Sequence, residues 1–212
     1  MKTNETITRD ILVAVDVQND FINGSLAVAE GAEVVTPLNQ VAEIIRKNGG
    51  TNIYTRDWHP EETPHFGTNE GQWPVHCVTE TNGAAFYPTL KIEKDDVILS
   101  KGMGQTDGYS GWEGIGENGE TLETLIAPRT PLEKVRVFIG GLATDYCVKA
   151  TGLDIATFFA NDERVTTYLL RDAVRAVALQ QADEANALKA LEAAQVIAIT
   201  SEEAHDLMNG VL

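Results

Sequence analysis

Cys147 follows Ala143-Thr144-Asp145-Tyr146, just after an apolar run and a Gly-Gly pair. Thr144 or Asp145 is a plausible cap for a following helix, which puts the thiol in the first helical turn. There the positive end of the helix dipole favours thiolate and predicts a pKa below the usual ~8.5. The competing reading is a small, buried, inert cysteine. Asp16 closes another apolar run, where an unpaired carboxylate is costly. It needs a proton or a cation, and Lys101, at the end of a neighbouring run, could supply the cation. Such a pair is either a salt bridge at a sheet rim or, beside a thiol, a general base with a positive charge close by.

A second cluster has ligand chemistry. His59, His65 and His76 fall close together, and Asp57 precedes His59 by two residues. On an extended chain, residues i and i+2 share a face, so both side chains can converge on one ion. An aspartate with three histidines suits Zn, Fe or Mn; a solvated histidine-rich loop is the alternative. Phe21, Trp58, Phe66 and Trp73 flank these groups and either wall a flat apolar pocket or form a small core for the loop. His205, near the C-terminus, reads as a surface residue.

These groups need a scaffold that brings distant segments together. Apolar runs at 11–17, 51–56, 97–100, 134–139, 164–170 and 196–199 read as strands. Helical patterns occupy 34–47, 121–127, a stretch from the turn after 139 to 160, and 178–194, with Gly49-Gly50 and Pro128 as stop signals. Between them, residues 57–88 lose periodicity and gather Gly, Pro, His and Trp, and residues 102–119 form a second Gly-rich loop. Loops that long are uncommon in a compact domain unless they are used. The alternation predicts a single α/β domain over 1–212: three layers, α/β/α, around a mainly parallel sheet of about six strands, with a metal-binding loop at 57–88. In such sheets ligands bind beyond the carboxyl ends of the strands, where Asp16, Asp57, Lys101 and Cys147 fall.

Composition narrows the partners. The chain has 212 residues and a formal charge of −16, which repels phosphate backbones and anionic lipid, so neither nucleic acid nor membrane is expected. No apolar run approaches the ~18 residues of a membrane helix, and residues 1–10 lack a signal-peptide pattern. Cys77 and Cys147 could pair, but two cysteines in a chain of this size fit a reducing cytosol better. A cytoplasmic protein acting on a small molecule is expected, with a homo-oligomer left open.

Taken in order along residues 12–199, the motifs resemble the nicotinamidase/pyrazinamidase branch of the isochorismatase-like hydrolases. They are Val15-Asp-Val-Gln-Asn-Asp-Phe-Ile22, Gly24-Ser-Leu-Ala27, Arg56-Asp-Trp-His59 with His65, Trp73-Pro-Val-His-Cys77, Lys101-Gly102, Tyr109-Ser-Gly-Trp-Glu-Gly114 and Gly141-Leu-Ala-Thr-Asp-Tyr-Cys147. The resemblance implies hydrolysis of nicotinamide, and also of pyrazinamide, through a thioester on Cys147. Asp16 would be the proton carrier, with Lys101 holding it in register with the thiol. It further implies an oxyanion hole from the Ala143 and Cys147 N–H groups, with a cis peptide before Ala143. One divalent metal, zinc or else Fe or Mn, would sit on Asp57, His59, His65 and His76 and take the ring nitrogen, with Phe21 and Trp73 packing the ring. Tyr146 stands where some members carry histidine. The alternative is a relative of the same fold acting on another small amide or ureido compound.

Overall fold

The computed structural model describes residues 7–104 and 108–211. Residues 105–107, inside the second Gly-rich loop, lie outside the described residues, as do 1–6 and 212. The elements run β1 (Ile7–Val15), α1 (Asn19–Ile22), α2 (Val35–Lys47), β2 (Thr51–Asp57), β3 (Val97–Lys101), α3 (Leu122–Ile126) and β4 (Glu133–Leu142). They continue with α4 (Lys149–Phe158), β5 (Val165–Arg175), α5 (Asp183–Ala193), β6 (Ile197–Ile199) and α6 (Ser201–Met208).

The strands form one six-stranded sheet in the order β3-β2-β1-β4-β5-β6. Every pairing is parallel. The central strand β1 is buried on both faces, which is why it reads as a continuous apolar run instead of an alternation. Leu12 and Ala14 pack with Leu38, Val41 and Ile45 of α2 on one side. Ile11, Val13 and Val15 join Ile155 of α4 and Leu191 of α5 on the other. Each such side chain contributes about 1.5–3 kcal/mol by leaving water. The expected three-layer architecture is thus the observed one.

Several boundaries differ from expectation, β1 among them, which spans Ile7–Val15 instead of 11–17. β4 runs on to Leu142 and β5 to Arg175, beyond the apolar runs that announced them, because parallel pairing continues past the apolar stretch. α5 starts at Asp183, since Ala178 has φ +53 and cannot continue a helix backwards. Helix α6 was not anticipated, although Thr200 and Glu203 form a capping box at its start, a signature visible in the sequence. His205 lies on α6 and is exposed, as expected.

The chain travels outward from β1 to β2 and β3, then crosses back to place β4 on β1's other side. The carboxyl ends of β1 and β4 therefore flank the reversal of strand order, where α/β sheets open a crevice. Gly141 keeps that crevice narrow. Its φ is +121, and an added Cβ would sit 2.1 Å from the Val15 carbonyl oxygen. Gly141→Ala is therefore expected to cost about 3 kcal/mol or more, read as a lower urea midpoint. A loss below about 1 kcal/mol would show that the two strands can part freely.

Candidate active site

Four strand ends deliver the chemistry. Asp16 follows β1 with φ +50, a left-handed conformation that turns the chain sharply off the sheet. Asp57 ends β2, and Lys101 ends β3 directly opposite it in register. β4 leads through a cis Leu142-Ala143 peptide, as the resemblance implied, into the turn bearing Cys147.

Lys101 is the hub. Its Nζ lies 2.8 Å from Asp16 Oδ2, 2.5 Å from Asp57 Oδ1 and 3.6 Å from Cys147 Sγ, and it also donates to the Gly108 carbonyl at 2.8 Å. The expected Asp16–Lys101 pair is therefore one arm of a larger network that includes Asp57. Asp16, Asp57 and Cys147 have side-chain atoms within 4.8 Å of one another. Thr55 Oγ1 donates to Asp16 Oδ1 at 2.7 Å.

Electrostatics divides these groups. Burial alone would neutralise Lys101, but the carboxylates of Asp16 and Asp57 outweigh it and hold the ammonium charged well above its ordinary range. Burial would likewise raise Asp57, yet the Lys101 ammonium pulls it below the usual carboxylate range. For Asp16 burial prevails over Lys101, so its pKa is raised. Burial also pushes the Cys147 thiol well up, against Lys101, with Asp16 and Asp57 adding to the rise.

The low thiol pKa expected from a helix dipole is thus corrected. Cys147 lies in a wide turn, Thr144–Val148, where Val148 N–H reaches back to the Ala143 carbonyl at 3.1 Å, and regular helix begins only at Lys149. Neither Thr144 nor Asp145 caps a helix. Ala143 occupies the capping position, Thr144 Oγ1 is buried without a partner among the described residues, and Asp145 accepts the Val177 and Ala178 N–H groups at 2.9 Å each. Both Asp16 and Cys147 therefore have raised pKa values and share the Lys101 ammonium, at 2.8 and 3.6 Å.

Beside this network stand the ligand-type residues. The 57–88 loop folds on itself: His59 N–H donates to the Cys77 carbonyl at 3.0 Å, and Trp73 N–H to that of His65 at 3.1 Å. The Gln18 amide clamps its root, accepting the Asp57 N–H at 2.8 Å and donating to the Asp57 and Ala84 carbonyls at 2.8 and 2.9 Å. Asp20 holds the far side by accepting the Cys77 N–H at 2.7 Å.

Asp57, His59 and His76 place one ligand atom each within 4.8 Å of one another. Their outer contacts fix the tautomers. His59 Nδ1 faces the Gly102 carbonyl at 2.9 Å, and His76 Nδ1 that of Pro74 at 2.7 Å. Protons there leave both Nε2 lone pairs facing Asp57 Oδ2, at 3.5 and 3.9 Å. Burial keeps His76 neutral by lowering its pKa. Three lone-pair atoms turned towards one another repel unless a cation lies between them, so this donor set fits a divalent transition metal. Gly102 also clears the ground, since a Cβ there would stand 2.4 Å from His59 Cε1. His65 is not in the triplet. Its Nε2 lies 3.0 Å from His59 Nδ1, and its Nδ1 lies 2.8 Å from Thr63 Oγ1.

A narrow cavity of about 30 Å³ is lined by Asp57, the three histidines, Ala143 and Cys147, together with Phe21, Trp73, Tyr109, Tyr146, Leu26 and Val177. Among the described residues no arginine or lysine lines it. Both readings of the aromatics hold, for different rings. Phe21 and Trp73 face the cavity, whereas Phe66 packs behind the three histidines at ring distances of 5.3–5.5 Å, and Trp58 lies under Arg56 at 3.6 Å. Gln18, Thr55, Tyr109 and Tyr146 were not singled out as site residues from sequence. Only Gln18, a polar residue beside an apolar strand, carried a signal. A larger cleft of about 930 Å³ beside β5 and β6 is lined by no cysteine or histidine.

This fold and site define a class, and the chain belongs to the isochorismatase family, whose Isochorismatase domain matches residues 10–203. It is 39% identical over 148 residues to the nicotinamidase/pyrazinamidase of Mycobacterium tuberculosis, covering 68% of this chain and 76% of that protein. The crystal structure of Pyrococcus horikoshii pyrazinamidase in complex with zinc superposes with a TM-score of 0.76 at 36% identity, over 91% of this chain and 99% of that one. PnC1 from L. infantum, in complex with nicotinate, also gives 0.76, at 30% identity over 93% and 96%.

Proposed function

We propose that the protein is a metal-dependent amidase that hydrolyses nicotinamide to nicotinate and ammonia, and pyrazinamide likewise. One observation carries the reading: the buried Cys147 thiol and a convergent Asp-His-His donor set line one aromatic-walled cavity, and Lys101, paired with Asp16, lies 3.6 Å from that thiol. A cavity lining without arginine or lysine suits a neutral amide and disfavours anionic ureido compounds.

Asp16 takes the Cys147 proton as sulfur attacks the carboxamide carbon, and the Ala143 and Cys147 N–H groups receive the oxyanion. The C–N bond then breaks, Asp16 returns its proton to the departing ammonia, and a thioester remains on Cys147. Water, losing a proton to Asp16, attacks that thioester and releases nicotinate, and the proton returns to sulfur. Lys101 keeps Asp16 and Cys147 in register throughout and offsets charge that builds beside them. Asp57, His59 and His76, with His65 turning in as a fourth donor, would hold zinc, which supplies a Lewis-acid site for the pyridine nitrogen. Phe21 and Trp73 flank the ring.

Ammonia release from nicotinamide by purified enzyme tests the reading, and its absence with metal bound would sink it. Dialysis against a chelator is expected to lower kcat/KM by about 100-fold or more, because ring orientation is lost. Zinc, iron or manganese should restore it. Full activity in protein shown by elemental analysis to be metal-free would remove the metal from the proposal.

A further inference from the structure

One residue is common to the substrate cavity and a second cavity beside it. Tyr146 lines the inner slot, and it also lines a separate, open cavity of about 370 Å³ walled by Asp145, Lys149, Leu179, Gln180, Asp183 and Asn186. Among the described residues no other lines both. Its ring meets Trp73 edge-on at 5.0 Å and Tyr109 at 5.6 Å, while Trp73 Nε1 donates to the Tyr109 hydroxyl at 2.9 Å. Three rings from three chain segments thus brace one another. The backbone adds to this, because Tyr146 N–H is tied to the Ala143 carbonyl at 3.1 Å within the turn that carries Cys147. The ring therefore stands in a set relation to the nucleophile one residue on.

We propose that Tyr146 is a specificity-determining residue, a partition that confines substrates to compact heteroaromatic carboxamides by shutting the inner slot off from the outer cavity. The inference rests on the amidase reading above and goes beyond it by naming what limits the ring. Tyr146, held edge-on to Trp73 at 5.0 Å and against Tyr109 at 5.6 Å, stands where a ring substituent would have to pass to reach the cavity of about 370 Å³ outside. Truncating the side chain joins the two spaces and offers a ring substituent an open, mixed polar and apolar cavity. Braced aromatic packing, not the hydroxyl, does the excluding, so loss of the hydroxyl alone leaves the partition in place.

The test is ammonia release by wild type, Tyr146→Phe and Tyr146→Ala, from nicotinamide and from nicotinamides carrying a propyl group at ring carbon 4, 5 or 6. For Tyr146→Ala, the kcat/KM ratio of substituted to plain substrate should rise about 10-fold or more at one ring position at least, the scale of a few methylenes accommodated or rejected. Plain nicotinamide should lose mainly through KM. Tyr146→Phe should keep the wild-type ratios. Tyr146→Leu, which retains apolar volume, should rise less than alanine and serves if the alanine variant does not fold. Ratios within about twofold of wild type at all positions, in a folded alanine or leucine variant, overturn the partition. An equal rise in Tyr146→Phe overturns it too, by assigning the exclusion to the hydroxyl. Failure of wild type to release ammonia from nicotinamide is a separate result that overturns the amidase reading itself.

Discussion

Cys147→Ala is expected to lower kcat for nicotinamide by about four orders of magnitude or more, because the proposed thioester forms on its sulfur. The effect belongs to chemistry and not to folding. Cys147 is nearly buried, and removing one sulfur from the end of its turn leaves Lys101 paired to both carboxylates. Circular dichroism and metal content should therefore match wild type. Cys77→Ala is the control. Its thiol is buried and its pKa is pushed well up by that burial, then by Asp57 and Asp20, and its links to the site are backbone groups that alanine keeps, the N–H to Asp20 and the carbonyl to the His59 N–H. Activity that survives in Cys147→Ala but vanishes in Cys77→Ala would reverse the assignment.

Lys101→Met carries the largest expected loss of stability, about 3–5 kcal/mol, from leaving buried carboxylates without their cation. The Lys101 side chain is fully buried, and Asp16 and Asp57 both pair with its ammonium. Methionine matches its length but offers no charge, so the two acids would repel each other at short range. Denaturant titration reads the loss, and the double variant Asp16→Asn with Lys101→Met should recover part of it, since only one of the two acids then remains unpaired. Activity should not recover, because the proton carrier is gone. A single-variant loss below about 1 kcal/mol would mean that water or a shifted proton already satisfies these acids.

The strands were legible wherever burial on both faces imposed a continuous apolar run, as in β1 and β4, and their parallel order followed from the helices between them. Extensions such as β5 to Arg175 were not, because its final residues are held by backbone pairing to β4, to which side-chain type is nearly indifferent. Asp16, Asp57, Lys101 and Cys147 stood out because buried charge or a thiol at a strand end needs a reason. Tyr109 and Tyr146 did not, since an aromatic residue beside a loop looks the same whether it faces a cavity or a core. The Cys147 pKa departs from what its sequence position implies for a related reason. A local rule about helix ends assumed solvent access and a regular first turn, whereas the thiol sits in a wide turn, buried next to two carboxylates.

By itself, then, the chain's order of residues determined which groups are available, on which strand ends they ride, and that those ends share one rim, because hydrophobic period and strand spacing are local properties. Tertiary structure alone decided that Lys101 bridges Asp16 and Asp57, that both histidine Nε2 atoms turn towards Asp57, and that Tyr146 divides two cavities. Those facts depend on distances between segments tens of residues apart, and only the packed sheet sets them.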